Sequence, residues 1–195
     1  MSTDLFAQIA AAAPAATPAG RLVAGTHVLA LTRCALDLSR LNQTIVVADF
    51  TVLRSDVLAQ LDHVQRAWFI ESDNFTGTYE QQRCKEFIYA AARAVEREIA
   101  VDDTKAFVKF ATQLTSGEHD GLVIRADVRR MLDGDGNPRF TKRGLEVLNT
   151  TWTTVALDDE LRDLAAQHAE RRAVALAESG ADEVAVQRWL GRMVP

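Results

Sequence analysis

The sequence predicts an α+β fold: an antiparallel sheet interrupted by a two-helix insertion and followed by a helical tail. Three observations carry this. Strand-forming runs follow one another between residues 26 and 72. A strict two-residue alternation returns at Leu122–Arg129. Between and after them, apolar residues recur every three to four positions. At 195 residues the chain can bury the core of one ordinary domain.

Residues 1–13, MSTDLFAQIAAAA, read as a short Ala-rich helix that Ser2 or Thr3 would cap, and Pro14, Pro18 and Gly20 break it. THVLALTRCALDL (26–38) and TIVVADFTVLRS (44–55) are strands around a turn at Ser39–Gln43. HVQRAWFIES (63–72) is a third, ending in the polar loop 73–77. Successive strands of this kind form a meander. A helix begins at Thr78, where Thr78 and Gln81 have capping-box spacing, and its stripe is Cys84, Phe87, Ile88, Ala91 and Val95. Asp102 or Asp103 caps a second helix with the stripe Phe107, Phe110, Ala111 and Leu114, ended by Ser116-Gly117. Leu122, Ile124, Ala126 and Val128 then alternate with Val123, Arg125, Asp127 and Arg129, a strand with one wet face. A further strand, 145–155, closes the series, and helices over 158–177 and 181–192 make the tail.

The segment joining the last two strands, MLDGDGNPRFTKRG (131–144), admits two readings. Asp133, Asp135 and Asn137 stand at the first, third and fifth positions of a calcium loop. That loop requires glycine at its sixth position and a bidentate Glu at its twelfth, where this chain has Pro138 and Gly144. Strands on both sides favour a hairpin whose aspartates are turn formers.

Composition narrows the function. The apolar fraction is 48% and the charged fraction 25%, as in globular proteins, and the net charge of −5 argues against a generally basic nucleic-acid binder. Cys34 and Cys84 have no metal spacing, no run of about 18 apolar residues suggests a membrane span, and the first 20 residues lack the basic start of a secretory signal. The expected setting is a reduced cytosol. His27, His63, His119 and His168 stand apart, and no P-loop, nucleophile elbow or dinucleotide fingerprint occurs. No catalysis, cofactor or metal is expected.

Charge is uneven along the chain. Six basic residues (Arg125, Arg129, Arg130, Arg139, Lys142, Arg143) face three acidic ones between Leu122 and Gly144. From Ala156 to Pro195 the balance reverses, with eight acidic side chains against five basic. The basic hairpin is either a solvated turn or a surface that tracks phosphates. Alternation in HVQRAWFIES sets Arg66 and Trp68 on one side and Ala67 and Phe69 on the other. With Ala67 and Phe69 in the core, an Arg and a Trp face outward together, as a stacking platform requires; the competing reading makes Trp68 a core residue. Trp152 carries the same ambiguity. The stretch Gly180–Leu190 has a helix-turn-helix outline, but Asp182 and Glu183 would begin its recognition helix against phosphates, so a packed helical hairpin or an interaction tail is expected.

In their order and residue types, Gly25-Thr-His-Val-Leu-Ala-Leu, Ser39-Arg40, Val46–Leu53, Arg66-Ala-Trp-Phe-Ile70, the helix Arg83–Ile88 and the hairpin GLVIRADVRRMLDGDGNPRF form one outline. It resembles phage-type OB-fold-like single-stranded DNA-binding and recombination-accessory proteins. The resemblance spans residues 20–155 and rests on strand spacing. It implies an OB-like antiparallel β-barrel over 21–155; the N-terminal Ala/Pro-rich arm (1–20), the helical insertion at 78–116 and the C-terminal helical tail (156–195) are read from the residues and are additions to a minimal barrel. It implies a non-enzymatic protein of a phage or mobile-element replication or recombination system, binding single-stranded DNA through Arg66, Trp68, Arg125, Arg129, Arg139, Lys142 and Arg143. Expected partners are single-stranded DNA, replication or recombination proteins, and a second copy in a dimer, with no membrane. Two other readings stand beside it. One is an interaction module of the same apparatus acting through its helical tail. The other is a winged-helix regulator, with 122–141 as wing, 142–150 as a following helix, and Lys105 and Lys109 on the recognition helix.

Overall fold

A computed structural model describes residues 22–38, 44–57, 64–70, 78–140, 144, 146–181 and 183–191, with the backbone alone at 38, 44, 45, 64–70 and 78–81. The expected helix over 1–13, the arm to residue 20 and the loops 39–43 and 73–77 lie outside the described residues. Five strands form one antiparallel sheet: β1 (Gly25–Leu38), β2 (Thr44–Ser55), β3 (Val64–Ile70), β4 (Val123–Arg130) and β5 (Leu148–Thr153). Their order across the sheet is β3-β2-β1-β4-β5. The helices are α1 (Thr78–Ala94), α2 (Thr104–Thr115), α3 (Asp159–Glu178) and α4 (Glu183–Leu190). The element order expected from the sequence is the one found. The winged-helix reading required a helix over 142–150, where Leu148–Thr150 begin β5 instead.

β1 is long because it serves two partners. It pairs with β2 from His27 to Leu38 and with β4 from Gly25 to Ala30. Irregularities at Val28/Leu29 and Leu31/Arg33 bend it where β4 departs. Its first residue must be glycine: Gly25 has φ +150°, and a Cβ there would strike the Asp56 and Val57 side chains.

The bend curls the sheet around its core. Phe50 on β2 and Trp152 on β5 have two strands between them, so in a flat sheet their backbones would lie about 14 Å apart and their rings could meet only by leaning toward each other. Their rings stack at 5.4 Å with a 29° interplanar angle. Phe87 of α1 closes the cluster, 5.8 Å from Phe50 and 5.2 Å from Trp152. Trp152 is thus a core residue. Alternation along β4 sends Ile124, Ala126 and Val128 into the same core. α1 lays Phe87, Ile88 and a run of buried alanines, Ala90–Ala92, against the sheet, while α2 contributes Phe110 and Leu114. Asp103 caps α2 by accepting the Ala106 amide at 2.9 Å.

The expected closed barrel is corrected to an open sheet. Among the described residues β3 pairs only with β2 and β5 only with β4. The reason is a helix in the gap: α1 packs against both β3 and β5, so the edges that would have to meet flank it instead.

α3 covers part of the opposite face, setting Leu161 and Ala165 over Val28, Ala30 and Leu53. Its cap, Asp158, accepts the Leu161 amide at 2.8 Å and two bonds from Arg54 at 2.9 and 3.0 Å; Arg54 also reaches Glu160 at 2.8 Å. α4 folds back on α3, burying Trp189 against Ala169, Ala173 and the His168 ring at 5.5 Å. The tail is therefore the packed helical hairpin that its acidic start implied. Among the described residues, no helix is long and apolar enough to cross a membrane.

Candidate nucleic-acid interface

On β4, the residues between the core positions face away from α1 and α2. Arg125, Asp127 and Arg129 pair with Thr153, Thr151 and Asn149 of β5, making a polar ribbon that α3 leaves uncovered at Arg125 and Arg129. Arg125 is held by Asp127 at 2.8 Å, and Asp127 also accepts the Thr26 hydroxyl at 2.8 Å. Burial works to raise the Asp127 pKa, but bonds from Arg125 and Thr26 and the nearby charges outweigh it, and the carboxyl titrates below its usual range. Arg130 is similarly committed, to Glu146 at 3.3 Å. Arg129 and Arg139 differ. Both are exposed, and neither makes an ion pair among the described residues.

Beyond β4 the chain continues as a hairpin. Asp133 and Asn137 close its tip, with the Asp133 amide donating to the Asn137 carbonyl at 2.9 Å. The Asp133 carboxylate accepts the amides of Asn137 at 2.9 Å and Asp135 at 3.0 Å, and these bonds hold its pKa below the usual range. Gly136 supplies the left-handed residue at φ +84°. The aspartate at the head of the calcium-like pattern thus binds its own turn. At the base, three extended segments share one ring of backbone bonds. Met131 donates to Val147 at 2.9 Å, Val147 to Arg139 at 2.8 Å, and Arg139 to Met131 at 2.8 Å.

This ring makes the hairpin two-sided. Leu132 bridges to Pro138 and Phe140 to Glu146, so by alternation Leu132, Pro138 and Phe140 share one side, and Arg139 lies with Arg129 on the other. That first side carries two exposed apolar residues, Leu132 at 55% and Phe140 at 58%, next to the Arg130–Glu146 ion pair.

Of the seven residues read from the sequence, the structure gathers Arg125, Arg129 and Arg139 along β4 and its hairpin. Lys142 and Arg143 lie outside the described residues. Arg66 and Trp68 sit on β3, three strand positions from β4 in the sheet. Register pairs Trp68 with Val47 and Arg66 with Asp49, and Ala67 and Phe69 with the core-facing Ala48 and Val46. Their β2 partners are covered: Val47 is 3% and Asp49 8% exposed. Phe140, which the sequence reading did not single out, stands exposed directly after Arg139.

Elsewhere, His27 is a satisfied core histidine, its ring nitrogens 2.8 Å from the Ser55 hydroxyl and 2.9 Å from the Val23 carbonyl. Cys34 is buried in the core, and burial, with Cys84 nearby, pushes its thiol pKa to about 12. Compared with known proteins, the chain matches no family model and no curated protein.

Proposed function

We propose that this protein binds single-stranded DNA without catalysing a reaction, in the replication or recombination apparatus of a phage or mobile element. The observation that carries the reading is the β4–β5 hairpin with Arg129 and Arg139. Both are exposed cationic groups on that hairpin, and neither makes an ion pair among the described residues. Phosphates are the complementary ligand, and affinity gained this way is indifferent to sequence. The reading extends to Arg125, whose partner Asp127 would share it with a phosphate, and to Lys142 and Arg143 by their place in the sequence.

The finer fold reading is OB-like. Curling that brings β2 and β5 within ring contact, with only the β3–β5 seam open, suits the partly open five-stranded barrel of that class. In such barrels the β4–β5 loop and the β2–β3 face take oligonucleotides. Arg66 and Trp68 extend the proposed surface to the β3 edge, and pairing of two subunits would lengthen the tract it covers. Replication or recombination proteins are the proposed partners for the tail, where Val174 and Val184 are exposed at 52% and 68%.

The direct test is fluorescence anisotropy with a labelled oligo-dT and with a duplex of equal length, over a series of salt concentrations. The expected result is tighter binding of the single strand, with affinity falling as salt rises. Equal and salt-insensitive binding of both, or none of either, removes the proposal.

A further inference from the structure

Single strands differ from duplexes in offering unpaired base faces, and phosphate contacts alone do not read that difference. A protein that prefers single strands needs an accessible ring beside its cationic groups. Trp152 cannot serve, since it is 3% exposed and stacked in the core. Trp189 is likewise 3% exposed, between the tail helices. Phe50, Phe87 and Phe110 are fully buried. Phe140 is the one large aromatic that is mostly exposed among residues whose side chains are described.

Its position matters as much as its exposure. Phe140 follows Arg139 and stands on the opposite side of a ribbon held by the backbone ring of Met131, Arg139 and Val147. Leu132 and Pro138 flank it and make a small apolar shelf. An exposed ring of this kind offers a face on which a base can stack. On its own side the Glu146 carboxylate is paired with Arg130, and the exposed Arg129 and Arg139 on the other side favour a polyanion as occupant over an uncharged protein surface.

We infer that Phe140 is the base-stacking residue of this hairpin and the source of its preference for single strands, with Arg129 and Arg139 supplying affinity for any nucleic acid. The inference rests on the single-stranded DNA reading above. A strand running along the hairpin edge places its phosphates toward the arginines and one base against the ring. The division of labour is the new content: selectivity belongs to one side of the hairpin and salt dependence to the other.

Two variants test it, Phe140→Ala and the double variant Arg129→Ala/Arg139→Ala, each bound to oligo-dT and to duplex. Phe140→Ala should weaken oligo-dT binding roughly ten- to a hundred-fold, leave duplex binding and the salt slope unchanged, and melt as the parent does. Phe140→Trp should restore single-strand binding. The arginine variant should weaken both ligands and flatten the slope. Wild-type oligo-dT affinity in Phe140→Ala, with weakened binding in the arginine variant, overturns the stacking role while leaving single-strand binding intact. Normal DNA binding by a Phe140→Ala protein that has lost self-association on sizing also overturns it, because the shelf then meets a second copy. If the parent binds neither ligand, both readings fall together.

Discussion

Phe50 and Trp152 stack at 5.4 Å although β1 and β4 separate their strands. The contact joins the two ends of the core through side-chain reach and sheet curvature together. Trp152→Ala removes the ring that joins the two ends of the sheet, so a loss of about 3–5 kcal/mol in urea unfolding is expected. Trp152→Phe should cost less, because a smaller ring still reaches the cluster. A midpoint unmoved by the alanine change would mean that curvature does not depend on this contact.

A second expectation concerns acid. Bonds from Arg54, and next the Leu161 amide, hold the Asp158 carboxyl below its usual range. A depressed folded pKa gives stability that is present above the unfolded value of about 4 and is lost as pH falls through the folded value. Asp158→Asn keeps a helix cap but loses the charge attraction. It should therefore melt lower at pH 7 and show a shallower loss of stability below pH 4. Parallel curves for the two proteins would exclude Asp158 from the acid response.

The hairpin tip can be probed by hydrogen exchange. Asp133→Ala removes the acceptor for the Asp135 and Asn137 amides. Faster exchange at those two positions is expected, with the core strands as protected as before. Addition of calcium should leave both exchange and melting of the parent unchanged. Calcium-dependent protection at the tip would return the loop to a metal-binding role.

Thiol chemistry should separate the two cysteines. At pH 8 the Cys34 thiol, with its pKa near 12, stays protonated and enclosed. Cys84 is only partly buried and should alkylate first. Mapping the label by mass spectrometry on native protein decides this. Cys34 modified as quickly as Cys84 would show that the core opens there on the timescale of labelling.

Salt provides the last expectation. Removing one phosphate-binding cation lowers the log–log salt slope of single-strand binding by about 0.7, so Arg129→Ala/Arg139→Ala should lower it by roughly twice that. The same pair changed to lysine should keep most of the slope. Were the slope intact in the alanine variant, the two guanidinium groups would be solvated bystanders.

Local periodicity made most of the secondary structure legible. The alternation of Leu122–Arg129 and the stripe of Phe107, Phe110, Ala111 and Leu114 follow from chain geometry alone, and the residues they assign inward are at least partly buried. What stayed hidden is non-local. β3 by itself offers Arg66 no acid, since none shares its side of that strand; the register puts Asp49 across from it on β2. Closure of the barrel was likewise a matter of who occupies the seam, and the packing of α1 beside β3 and β5 has no local signature in TYEQQRCKEFIYAAARA. Phe140 is hard to read for a different reason, because in the sequence it stands as a position in a calcium-like loop. Nothing in its neighbours' periodicity tells an exposed hairpin aromatic from a buried one.

The double pairing of β1 also sets an order of events during synthesis. β2 leaves the ribosome directly after β1, but β4 starts only at Val123, far along the chain from Leu38. At roughly 5–20 residues per second, β1 waits on the order of 4–20 s for its second neighbour. During that interval the half of the strand from Gly25 to Ala30 presents open backbone groups beside His27, Leu29 and Leu31, all destined for the interior. A nascent chain stalled in that window is a template for strand pairing with other chains. Codon changes that slow translation between residues 38 and 123 would prolong the exposure without altering a single residue of the finished protein.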